Sequence, residues 1–265
     1  MTRITIGQYY PSNSIIHRID SRFKLLGTLF YITALFFVNH YAGYGVAALF
    51  IFMLVKLAKV PVLFLFRGLR AILFILSFAV ILNLFMTPGE TVLFTVGFLR
   101  ITMEGLHMAG QMALRLVLLI TGSSILTLTT SPIQLTDGIE ALLRPFKVIK
   151  VPAHDIAMMM TIALRFIPTL AEEMDKIMKA QKARGADLDT GGLLKRAKSL
   201  LPILVPLFVS AFKRADELAT AMEARCYRGD VGRTRMKVMR LAGADWVAVG
   251  VMAVFGTALF MTRLL

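Results

Sequence analysis

Cysteine is almost missing from this chain: Cys226 stands alone, so no internal disulfide can form and no thiolate metal cluster can be built. There is no G-x-x-x-x-G-K-[ST] phosphate loop, which excludes ATP hydrolysis by that machinery. His17, His40, His107 and His154 lie far apart and form no H-E-x-x-H, so each reads as an interfacial or packing histidine. A nucleophile elbow and paired carboxylates within an apolar stretch are also lacking. No catalytic residue, cofactor or metal is therefore expected on this chain. Charge is scarce over long distances: the 31 residues from Leu25 to Val55 contain no Lys, Arg, Asp or Glu.

What fills these gaps is apolar. Of 265 residues 57% are hydrophobic, and the mean hydropathy of +0.72 is that of a membrane protein. The run from Leu25 to Val55 is long enough for two spans joined at Asn39-His40-Tyr41-Ala42-Gly43. Further charge-free windows at Ala71 to Gly89, Leu116 to Thr136 and Trp246 to Thr262 each approach the roughly 20 residues that cross a bilayer core. Five spans are expected, near 25–39, 42–56, 70–87, 107–130 and 243–261. The amino-terminal stretch lacks an apolar core and a small-residue cleavage site, so no cleavable signal is expected. Arg3, Arg18, Arg22 and Lys24 face only Asp20 there, which places that end in the cytoplasm. The loop carrying Lys56, Lys59, Arg67 and Arg70 is cytoplasmic by the same rule, and the loop with Glu90, Arg100 and Glu104 lies outside. Arg115, inside the fourth span, either snorkels to the outer interface or pairs within the bundle.

The formal charge of +14 raises the question of an acidic partner, lipid or nucleic acid. Residues 131–240 hold 19 Lys or Arg among 12 Asp or Glu and read as a cytoplasmic domain of three helices, two of them long. The organisation is then 1–24 lead-in, 25–130 four spans, 131–240 cytoplasmic domain and 241–265 last span. Pro132 starts a helix to Leu143, a second runs from Ala153 to Arg184, and a third from Leu193 to Arg225, with Gly191-Gly192 between the long pair. Pro168, Pro202 and Pro206 should kink these helices or shift their starts. Leu200 to Phe212, apolar but short, fits a re-entrant or buried helix better than a span.

Both long helices end alike, in Ala183-Arg184-Gly185 and Ala224-Arg225-Cys226. Leu170, Met174, Ile177 and Met178 mark one apolar face on the first. Phe208, Ala211, Phe212, Ala215, Leu218, Ala219 and Met222 do so on the second. Gly185 is the expected left-handed stop of the first helix and Gly229 that of the second. An arginine in a last turn complements the helix dipole and needs no function. Two copies, 41 residues apart, point instead to a docking device, because a guanidinium at a turn is shaped for bidentate contact with carboxylates.

His17 to Leu26, Ala163-Leu164-Arg165-Phe166-Ile167-Pro168 and the two Ala-Arg-small endings together resemble the transmembrane T component of energy-coupling factor (ECF) transporters. The likeness covers nearly the whole chain, with Cys226 standing where glycine is common. It implies an all-α scaffold in a bacterial cell membrane that joins two ABC-type ATPases to a separate vitamin-binding S component. ATP-Mg would be used by those partners and not bound here. Ala183, Arg184, Gly185, Ala224, Arg225 and Cys226 would dock the ATPases. Met159, Met174, Met178, Phe208, Phe212 and Met222 would meet the S component, and Asp20, Arg22 and Lys24 form the family's amino-terminal motif.

The main alternative is an ordinary ABC permease lining its own substrate path, which predicts polar groups in several spans; spans one to three have almost none. A channel or ion-driven carrier should carry intramembrane carboxylates or broken repeats. Adsorption of the basic helices on lipid is opposed by the acids at 172, 173, 175, 216, 217 and 223. The partners expected are thus proteins and the bilayer, with no nucleic acid.

Overall fold

The computed structural model describes residues 9–87, 91–96, 99–186, 192–229 and 241–264. The start of the lead-in with Arg3, the turn at Pro88-Gly89, Gly191 of the glycine separator and residues 230–240 lie outside the described residues. The chain divides into two compact units, one within Gly7–Gly138 and Met239–Leu265 and the other within Ile139–Val238.

The first unit contains α1 (Ile15–Arg18), α2 (Ser21–Phe36), α3 (Tyr41–Ala58), α4 (Val62–Met86), α5 (Met103–Thr129) and α9 (Gly243–Leu264). Among the described residues three helices are long and apolar enough to cross a membrane: α3, α5 and Gly243–Thr262 of α9. α4 makes a fourth if its halves, bent by 60° between Arg70 and Ile72, count as one span. The expected five are not reached because α2 has 16 residues, about 24 Å of helix against roughly 30 Å of hydrocarbon. Its bounds are set locally: Asp20 accepts the Arg22 N–H at 3.0 Å as its N-cap, and the helix ends at Phe36. The stretch carrying Glu90, Arg100 and Glu104 reads in sequence as a loop. It holds an antiparallel hairpin of β1 (Val92–Val96) and β2 (Leu99–Thr102), a segment rich in β-branched and aromatic residues. Thr102 then caps α5 by accepting the Gly105 N–H at 3.1 Å.

The core of this unit is aromatic. Tyr31 of α2 stacks on Phe50 of α3 and Phe255 of α9, whose own ring centroids are 4.2 Å apart. The Tyr31 hydroxyl donates to the Leu118 carbonyl of α5 at 3.0 Å, so the ring is buried without stranding its polar end. The helices approach closely because Gly122 of α5 faces that ring; a Cβ there would sit 2.3 Å from it. Arg115 resolves as a pairing within the bundle. Its guanidinium donates to the Val38 carbonyl at 2.8 Å, in the turn between α2 and α3.

The second unit holds the end of α6 (Pro132–Leu143), a 3-10 turn (Arg144–Ile149), α7 (Ala153–Ala183) and α8 (Leu193–Ala224). Pro168 lies inside α7 and Pro202 and Pro206 inside α8, so the prolines interrupt neither helix. Pro206 lacks the N–H that would bond the Pro202 carbonyl four residues back. Gln181 of α7 donates to that carbonyl instead, at 3.4 Å.

Candidate docking site

α7 and α8 run antiparallel. Near one end Gln181 meets Pro202; further along, Glu173 accepts from Ser210 and, at 2.9 Å, from Arg214. At the other end the Tyr227 hydroxyl lies 3.3 Å from His154 and 2.9 Å from the Met158 sulfur. His154 in turn stands 3.5 Å from the Glu140 carboxylate. The Ser210 hydrogen bond and the Arg214 charge hold the Glu173 carboxyl below its ordinary range.

The two helix ends are built alike, atom for atom in their backbone bonding. Arg184 is the last residue of α7's final turn, Gly185 follows with φ +84°, and Gly185 and Ala186 donate to Lys182 and Gln181, both at 3.0 Å. Arg225 closes α8, Cys226 follows with φ +57°, and Cys226 and Tyr227 donate to Glu223 at 2.8 Å and Met222 at 3.0 Å. Each is a Schellman turn with the arginine at the cap. Cys226, not Gly229, therefore stops α8; Gly229 also has positive φ, but in the turn beyond. A side chain in the left-handed region is strained, so glycine's job is here done by a residue that pays about 1 kcal/mol for it.

Ala183, Arg184, Gly185, Ala224, Arg225 and Cys226 are all exposed. Neither the Arg184 nor the Arg225 guanidinium bonds or pairs with a described residue. Because the helices are antiparallel, the two guanidiniums occupy opposite ends of the pair, separated by about 45 Å of helix.

The six residues expected on a second interface differ in exposure. Met159, Phe208 and Phe212 are 61%, 61% and 73% exposed, whereas Met174, Met178 and Met222 are half-buried. Met222 lines a 330 Å³ apolar groove between the helices, with Ile162, Phe166, Leu170, Ala215 and Leu218. The apolar face read on the second helix thus splits in two, one side lining this groove and the other bearing Phe208 and Phe212. The stretch Leu200 to Phe212 lies within α8 and is not buried in this chain. Leu200, Leu201, Leu204, Val205, Val209 and the two phenylalanines are exposed along α8, and only Ile203 is buried.

Asp20, Arg22 and Lys24 sit in the other unit and act as a clasp. Besides capping α2, Asp20 donates its N–H to Asp245 of α9 at 2.9 Å, and its carboxylate lies 3.8 Å from the Arg22 Nε. The Lys24 ammonium donates to the Thr129 carbonyl at 3.0 Å, the last residue of α5, and to the His17 carbonyl at 3.3 Å. A cation on free carbonyls at a helix end is favourable through both hydrogen bonding and the dipole. Sequence reading missed Asp245, which is 1% exposed and accepts from Asp20 and from Ala242 at 2.8 Å. Its place as the last charge before an apolar run is the one signal that marks it.

Several apolar helices that can cross a membrane, with two long helices in sequence between the last two of them, define an all-helical membrane protein. The family model described as cobalt transport protein, CbiQ, matches residues 12–238. The energy-coupling factor transporter transmembrane protein EcfT of Ruminiclostridium cellulolyticum is 57% identical over 254 residues, 96% of this chain and 95% of that protein. The EcfT proteins of Thermosediminibacter oceani and Bacillus subtilis are 55% identical over 257 residues and 45% over 263, covering 96% and 99% of this chain and 97% and 99% of theirs. The chain belongs to this family of energy-coupling factor transporter transmembrane proteins.

Proposed function

We propose that the chain is the scaffold through which two cytoplasmic ABC-type ATPases drive a separate substrate-binding membrane protein, the S component, in vitamin uptake. The single observation that carries this reading is the pair of identical helix ends, each presenting an unpartnered arginine, at opposite ends of one antiparallel pair. One partner cannot easily reach both, whereas two like partners can each take one. Ala183 and Gly185 flank one arginine, Ala224 and Cys226 the other. These small side chains let a neighbouring surface close on the guanidinium, which suits a groove bearing carboxylates.

In this reading residues 131–240 and the amino terminus face the cytoplasm of a bacterial cell. ATP-Mg is bound by the ATPases and not by this chain, which is a non-catalytic subunit. The exposed α8 stripe around Phe208 and Phe212, with Met159 of α7, is the surface for the S component. An apolar row of that length is far larger than isolated surface residues produce. The alternative of a permease lining its own path is opposed by the apolar character of the space among α2, α3, α5 and α9, where the 420 Å³ cavity is lined chiefly by aliphatic and aromatic side chains.

Affinity purification of the tagged chain from its native host tests the proposal. Two ATPase subunits and a small membrane protein are expected to accompany it. Recovery of a homodimer with ATPases but without the small membrane protein, competent for transport, would replace the scaffold with a permease.

A further inference from the structure

The 3-10 turn Arg144–Ile149 carries an unusual pairing of exposed apolar and cationic side chains. Phe146, Val148 and Ile149 are 50%, 90% and 72% exposed, and Arg144, Lys147 and Lys150 are exposed among them. With three residues per turn, side chains at i and i+3 line up. Arg144 and Lys147 therefore form one row, Lys150 following at the same spacing, while Phe146 and Ile149 form another. The turn is held in shape by its own backbone: Lys150, at φ +60°, donates to Lys147 at 3.0 Å and Val151 to Phe146 at 3.4 Å.

No acid lies between Glu140 and Asp155, and Glu140 faces His154. A protein-binding surface is ordinarily depleted of lysine, whereas apolar tips ringed by Lys and Arg match an interface of acyl chains and phosphate headgroups. Chain connectivity favours the same partner. α5 is long and apolar enough to cross a membrane, and only the 12 residues of α6, about 18 Å of helix, separate its end region from Arg144.

We propose that this turn is an interfacial anchor: Phe146, Val148 and Ile149 enter the acyl-chain boundary of an anionic bilayer, and Arg144, Lys147 and Lys150 bind its phosphate headgroups. The anchor is independent of the two arginine ends and does not require either protein partner.

Cys226 is the only cysteine, so a Cys226→Gly background allows one nitroxide at Val148→Cys in the full chain. The chain is reconstituted into phosphatidylcholine vesicles with or without phosphatidylglycerol, and collisions with oxygen are compared with those of a water-soluble nickel chelate. Asp216→Cys, at an exposed α8 position, serves as the aqueous reference. With phosphatidylglycerol, oxygen is expected to relax the label at 148 several-fold more than the chelate does. That preference should fall toward the reference without the anionic lipid, or with Arg144, Lys147 and Lys150 all changed to Gln. Chelate access equal to the reference in both vesicles overturns the proposal. So does protection that arises only on adding the other transporter subunits, which would make the turn a protein-docking surface, and so does an oxygen preference unmoved by lipid charge or the triple Gln change.

Discussion

The carboxylate of Asp245 accepts backbone N–H groups from two directions, Asp20 ahead of α2 and Ala242 ahead of α9, and is almost wholly buried while doing so. Truncation strands both donors. Asp245→Ala should cost about 2 to 3 kcal/mol, seen as a lower midpoint of thermal unfolding in detergent, with Asp245→Asn losing less because one acceptor remains. Cys226 presents the opposite case. Its φ of +57° suits glycine, and Gly185 holds the equivalent place on α7, so Cys226→Gly should raise stability by about 1 kcal/mol. The same unfolding measurement checks it. The arginines at both ends were legible because their surroundings repeat within a few residues. The roles of Asp20 and Lys24 were not: their partners, Asp245 and Thr129, lie far along the chain, and no local spacing points to them.

At the level of elements, Glu173 is the buckle between α7 and α8. Its carboxyl lies below the ordinary range because Ser210 and then Arg214 favour the ionised form. In the unfolded chain the same group titrates at its ordinary value. Its contribution is therefore complete above that value and is lost as pH falls through the lower folded one. Unfolding followed from neutral to acidic pH should show this loss, and Glu173→Gln should lack that component of the pH dependence. The limits of α6 and α7 were readable from Pro132, Ala153 and Gly185, which act locally, whereas the stop of α8 reads as Gly229 and falls at Cys226. Elements decided by length or tertiary context were less readable. α2 is shortened by its Asp20 cap and its end at Phe36, and a β-hairpin occupies a short apolar stretch whose β-branched and aromatic residues favour strands. The run Leu200–Phe212 showed its apolarity in sequence, but nothing there told a buried face from an exposed one.

For the whole molecule, the division of labour follows from chemistry. One unit packs aromatic rings and glycines among membrane-crossing helices, and the other exposes two cations and an apolar row on a long helical pair. The repeat of the helix ends was visible in sequence; their opposition was not, since it depends on α7 and α8 pairing antiparallel. In the proposed scaffold that opposition offers each arginine to a separate partner. The direct measurement is the affinity of the purified chain for its ATPase pair, taken for the native protein and for Arg184→Ala with Arg225→Ala. Leaving partner carboxylates buried and unpaired costs about 2 to 5 kcal/mol per site, so the double variant, losing both sites, should bind the pair at least roughly 700-fold more weakly. Unchanged affinity, with the variant folded to the same midpoint, would contradict docking through these two arginines.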